Sequence, residues 1–122
     1  MRVAIAQAQG TLEKIGLQVI TASNGMNAHV MLENWAENNQ EQLDRCLMVL
    51  TDAEMPEMDG YRLTTEIRSN DRLKHLYVVM HTSLSGSFNK AMAERVGCNN
   101  LLSKFQPDEL AEVVLERIKS LQ

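Results

Sequence analysis

No apolar stretch in this sequence approaches the roughly 20 consecutive residues that a membrane-spanning helix requires, which argues against insertion into a bilayer. A secretory leader is lacking too: Met1 and Arg2 lead into a short segment broken by Gln7, not into an apolar core with a cleavage site. A cytoplasmic location is expected. Cysteine is scarce: Cys46 and Cys98 lie far apart and form no CxxC or Cys/His spacing, so zinc chemistry is set aside and both are expected to be buried free thiols. A basic stripe is missing as well. The net charge of -4 leaves nothing to neutralise a phosphate backbone, so nucleic acid is not an expected partner. The three histidines, His29, His75 and His81, fit no partner pattern and are expected to be neutral structural side chains.

What remains is an ordinary globular composition, 44% hydrophobic and 23% charged, in a chain long enough to bury a core without disulfides or metals. One domain over residues 1–122 is expected. Along it, helical and strand patterns alternate without repeats. A helical pattern from Thr11 to Ile15 stops at Gly16, and a strand through Leu17, Val19 and Ile20 runs into the turn "ASNG". Ala28, Met31, Leu32 and Trp35 mark one face of a helix from Met26 to about Asp44, and Cys46 to Leu50 is a continuous apolar strand. A helix at Leu63 and Ile67, a strand from Leu76 to Met80, a helix ended by Gly97, a strand from Asn100 to Ser103 and a helix opening at Pro107 complete the series. Four strands and five helices in this order imply a doubly wound parallel α/β sheet, with ligands beyond the carboxyl ends of the strands.

That architecture gathers three residues on one rim. Asp52 follows the Cys46–Leu50 strand within the acidic cluster "TDAEMPEMDG", Thr82 follows the next strand, and Lys104 follows the last. An acid, a hydroxyl and an ammonium together read as a phosphoryl site: the carboxylate accepts the group, and the lysine and a divalent cation neutralise its oxygens. Taken alone, Asp52 has the plainer explanation of a helix cap or a solvated strand-end carboxylate; its agreement with Thr82 and Lys104 weighs against that. Asp59 and Gly60 suit a turn and helix cap, and Glu57 a solvated position.

"VLTDAEMPEMDGYRL", the "HTS" after the next strand and the "SKF" after the last resemble a response-regulator receiver domain of the CheY-like, flavodoxin-like kind. Within that family, "LEKIGLQVITASNG", the passage around Trp35 and "SKFQPDEL" are similar to the receiver of the chemotaxis coupling protein CheV. The resemblance implies that Asp52 is a phosphoacceptor served by a CheA-like histidine kinase in a chemoreceptor coupling complex. It implies that magnesium is held by Asp52 and the backbone carbonyl of Glu54, that Thr82 follows the phosphoryl group, and that Lys104 pairs with it. The role is that of an acceptor, not an enzyme.

The sequence departs from the family in three places. Receivers open with a strand ending in two acidic residues that help hold magnesium, and counting back from Gly16 places that strand and pair before Met1. The favoured expectation is therefore a receiver lacking its first strand, with "RVAIA" helical, weak or absent magnesium binding, and a sheet centre open to strand exchange or another homo-oligomer. The competing expectation makes Val3 and Ile5 a substitute strand, at the cost of a short helix containing Gly10, which is about 1 kcal/mol poorer than alanine. Leu101 stands where many receivers carry an aromatic switch, and Phe105 where many carry proline. A receiver-fold interaction module that takes no phosphate is the alternative function. An aspartyl-phosphate hydrolase is disfavoured because the residue two after Asp52 is Glu54, not the aspartate of a DxD signature.

Overall fold

The computed structural model describes the backbone of residues 3–5, 16–54, 58–82, 87–103 and 107–121, with side chains for 16–54, 58–82, 90–103 and 108–121. The elements are β1 (Val3–Ile5), β2 (Gln18–Ile20), α1 (Gly25–Asn38), α2 (Gln40–Asp44), β3 (Cys46–Asp52), α3 (Gly60–Ser69), β4 (Val78–Thr82), α4 (Ser87–Val96), β5 (Asn100–Ser103) and α5 (Pro107–Ser120). All strand pairs are parallel, and the sheet order is β2-β1-β3-β4-β5.

The apolar run at Leu47 to Leu50 makes β3 a strand buried on both faces, as a parallel sheet flanked by helices demands. Met48 and Leu50 join Leu110 and Val114 of α5 in one core cluster. Val49, on the opposite face of the strand, joins Leu32 of α1 and Leu63 and Ile67 of α3 in the other. Two packed layers therefore fix β3, and with it Asp52 at its end.

Two expectations need correction. First, the sheet is not missing a strand: Val3–Ile5 is β1, paired with β2 through Val3 opposite Gln18 and Ile5 opposite Ile20, and with β3 through Ile5 opposite Val49. "RVAIA" is thus not helical at these residues, and the sheet has five strands, not four. The cause is nonlocal. Without a strand there, β2 and β3 would each leave a row of backbone N–H and C=O groups unpaired in the middle of the sheet, and the alternation of Val3 and Ile5 suits the position. Because this chain fills its own sheet centre, the motive for a strand-exchanged oligomer disappears. The expected helix from Thr11 to Ile15 lies outside the described residues.

Second, the helix expected from Met26 to Asp44 is two helices. Asn24 caps α1 by accepting a hydrogen bond from the Asn27 amide at 2.8 Å. Asn39 then leaves helical geometry (φ -149°, ψ 66°), donates its N–H to the Trp35 carbonyl at 2.9 Å and caps α2 by accepting from the Gln42 amide at 3.3 Å. Its short amide side chain competes for backbone groups, which breaks the helix there. Gly97 ends α4 as expected, at φ +91°, a region that favours glycine.

Candidate functional site

Asp52 is the last residue of β3, half-buried, opposite His81 in the register of β4. The ladder continues one step past it, with the Ala53 amide donating to the His81 carbonyl at 2.7 Å. The chain then returns at once: the Gly60 amide donates to the Ala53 carbonyl at 3.1 Å, and Asp59 caps α3 by accepting from the Arg62 amide at 2.8 Å. Asp59 and Gly60 thus form the expected turn and cap. Glu57 lies outside the described residues.

Thr82 ends β4, one residue past the partner of Asp52, and is 3% exposed. Its hydroxyl donates to Oε1 of Glu54 at 3.1 Å. The expectation for Glu54 concerned its backbone carbonyl, and sequence reasoning missed this side-chain contact. Thr82 stands opposite Ser103 in β5, so Lys104 is the next residue in the chain after that partner. Lys104 and Phe105 themselves lie outside the described residues. Leu101, half-buried, stands opposite Met80.

The Tyr61 phenol, in the first turn of α3, is pushed above its ordinary value, first by burial and then by the carboxylates of Glu54 and Asp59 and by Cys98. Both cysteines are free thiols, as expected, but each is half-buried and not buried as expected. Burial pushes Cys46 up to about 12, against smaller opposing effects of the Met48 backbone and Arg117. Folded protein therefore keeps this proton where the unfolded chain, titrating near 9.0, releases it. The stability associated with Cys46 is complete below the unfolded value and is lost as pH rises toward the folded one. The denaturant midpoint is expected to fall more steeply between pH 9 and 12 for the native chain than for Cys46→Ala; equal slopes would show that this thiol is not protected.

A parallel sheet of this order, with an acid and a hydroxyl side by side at its carboxyl edge, defines a doubly wound α/β signalling or ligand-binding domain of the flavodoxin-like class. Its family is more specific. The sequence pattern of the response regulator receiver domain matches residues 2–115, and the chain belongs to that family: it is a receiver domain of two-component response regulators. It is similar to protein PilG of Pseudomonas aeruginosa, at 31% identity over 114 residues, covering 93% of this chain and 78% of that protein. It is also similar to chemotaxis protein CheV1 of Helicobacter pylori, at 29% identity over 106 residues, covering 87% of this chain. The chain spans 32% of the length of CheV1. The expected CheV likeness is therefore present, and PilG is as similar. Among solved structures, the receiver domain of the sensor histidine kinase PA1611 from Pseudomonas aeruginosa, which has a magnesium ion coordinated in its active-site cleft, superposes with a TM-score of 0.77 at 21% identity, covering 97% of this chain and 98% of that one. No helix among the described residues is long and apolar enough to cross a membrane.

Among the described residues, the carboxylates do not by themselves make a complete magnesium site. Magnesium asks for hard oxygen ligands in near-octahedral array, usually with at least one or two carboxylates directed at it. Among the described residues no three His, Cys, Asp or Glu side chains converge on one point. β1 offers no carboxylate, and Ile5 stands opposite Val49, three residues before Asp52. The sequence has no acidic residue before Glu13, and the carboxylate of Glu54 faces Thr82.

Proposed function

We propose that Asp52 accepts a phosphoryl group from a phosphohistidine of a CheA-like histidine kinase, within a chemotaxis-type pathway in the cytoplasm that includes a chemoreceptor coupling complex. The observation that carries this is the placement of Asp52 at the end of the central strand beside the buried hydroxyl of Thr82. In the transfer, a carboxylate oxygen of Asp52 forms the new bond to phosphorus. The phosphorus–nitrogen bond breaks, and its electron pair returns to the imidazole. Thr82 would donate to one phosphoryl oxygen, and Lys104 would offset the charge of another.

Intact-mass measurement after treatment with acetyl phosphate tests the reading. The native chain is expected to gain one phosphoryl group and Asp52→Asn none; an adduct that survives Asp52→Asn would sink the assignment. A second reading, a receiver-fold interaction module that takes no phosphate, is favoured by the lack of any carboxylate on β1. It prevails if the folded native chain gains no phosphoryl group from either acetyl phosphate or a phosphorylated histidine kinase.

A further inference from the structure

The hydrogen bond between Thr82 and Glu54 has no counterpart in the expectations drawn from the sequence. We propose that Glu54 is a positioning residue: its carboxylate latches the Thr82 hydroxyl, standing in for the phosphoryl oxygen, and must release it before Thr82 can serve a group on Asp52. This inference rests on Asp52 being the acceptor.

The argument begins with proton count. A threonine hydroxyl carries one hydrogen and donates to one acceptor at a time. In this structure the acceptor is Oε1 of Glu54 at 3.1 Å. A phosphoryl oxygen on Asp52 would compete for that same hydrogen, so acceptance at Asp52 carries the cost of breaking the existing bond. Burial makes the choice matter: Thr82 is closed in at the end of β4, while Glu54 lies on the exposed side of the contact. A hydrogen bond to a carboxylate is strong, but this one is only part-buried and keeps part of its strength, which makes the latch releasable.

Glu54 also adds negative charge near the acceptor, and simple repulsion of an incoming phosphoryl group would slow the reaction without any latch. The two causes separate by substitution. Glu54→Ala removes both the charge and the acceptor, Glu54→Gln removes the charge and keeps an acceptor, and Thr82→Val removes the hydroxyl while keeping the side-chain shape.

The experiment follows the rate of adduct formation with acetyl phosphate by intact mass in the native chain, the three single variants and Glu54→Ala/Thr82→Val. In each successful transfer acetate leaves with the electron pair of the broken oxygen–phosphorus bond. The latch predicts a gain of roughly three- to tenfold for Glu54→Ala, the size of one partly solvated charged hydrogen bond. It predicts a smaller gain for Glu54→Gln and no gain from removing Glu54 once Thr82 is valine. Equal rates for Glu54→Ala and the native chain would overturn it. So would a gain that persists in the Thr82→Val background, which is the signature of repulsion alone. If no variant is phosphorylated at Asp52, the acceptor reading fails by itself. Denaturation of the four-member cycle then reads the contact alone: additive effects of Glu54→Ala and Thr82→Val show that the hydrogen bond has no weight and overturn the latch, whereas coupled effects show that the contact forms while its role in phosphoryl acceptance falls with the acceptor reading.

Discussion

Replacing Arg68 with alanine is expected to lower the unfolding free energy by about 3 kcal/mol, a large effect for a partly exposed side chain. Arg68 lies in the last turn of α3, and its guanidinium ties that helix to two further segments, the loop before β4 and the turn before β5. Nε donates to the Gly97 carbonyl at 2.9 Å, one terminal nitrogen donates to the carbonyls of Lys74 at 2.9 Å and Leu76 at 2.7 Å, and the other donates to Oδ1 of Asn99 at 2.8 Å. That Asn99 oxygen also accepts from the Val78 amide at 2.8 Å, so the network reaches the first residue of β4. Gly97 has no side chain to hold the arginine off; a Cβ there would stand 3.3 Å from Cγ of Arg68.

The size of the effect follows from what alanine leaves behind. Burial lowers the pKa of Arg68 from its ordinary value, yet a guanidinium stays charged at any pH at which the protein folds. Its bonds are charge-assisted, and removing it strands three carbonyl oxygens that only water can then serve. Lysine is a poor replacement, because a single ammonium cannot reproduce a planar fork aimed at acceptors in several directions. Urea denaturation of Arg68→Ala, Arg68→Lys and Arg62→Ala tests this. Arg62, which forms an exposed pair with Glu66 at 3.0 Å, is expected to cost under about 1 kcal/mol. A loss at Arg68 no larger than at Arg62 would show that water replaces the guanidinium and that the clamp has no energetic weight.

Nothing in the spacing of the sequence marks Arg68, and the reason separates what was legible from what was not. Asp52 and Thr82 were placed correctly because each follows a short apolar run, and in a parallel sheet the carboxyl end of a buried strand is a fixed location. Gly97 was placed by the helical pattern before it. These are local signals. The strand at Val3–Ile5 was misjudged although Val3 and Ile5 favour strand: a three-residue signal is too short to decide by itself, and what decides it is the demand of β2 and β3 for backbone partners. The break at Asn39 turned on one side chain within an otherwise continuous amphipathic pattern. Contacts such as Glu54 with Thr82 and Arg68 with Asn99 join residues far apart in sequence. They depend on register and side-chain direction, which periodicity does not encode.

A single methyl group at Gly60 is expected to do comparable damage, and to do it at the rim. Gly60 opens α3, and a Cβ there would run into the carbonyl oxygen of Asp52 and stand 3.1 Å from the Cα of Ala53. Both obstacles are backbone, so no rotamer change relieves them. The helix would have to slide away from β3, loosening Leu63 and Ile67, which are 1% and 0% exposed, from the core. Alanine is intrinsically a better helix former than glycine by about 1 kcal/mol, so any net loss in Gly60→Ala is a lower bound on the steric conflict. A loss of about 2–3 kcal/mol is expected, the range for overpacking against a close-packed interior.

Gly16→Ala is the matching control. That residue sits at φ +91° with nothing within 4 Å of an added Cβ, so its cost is conformational strain without collision, about 1 kcal/mol. The two variants also separate at the site: only Gly60→Ala pushes on the carbonyl of Asp52, so only it is expected to slow phosphoryl acceptance while still folded at low temperature. If Gly60→Ala proved as stable as the native chain, α3 would not be seated against the end of β3. The tight return from Asp52 to Gly60 would then hold neither the carboxylate nor its neighbour Glu54 in place.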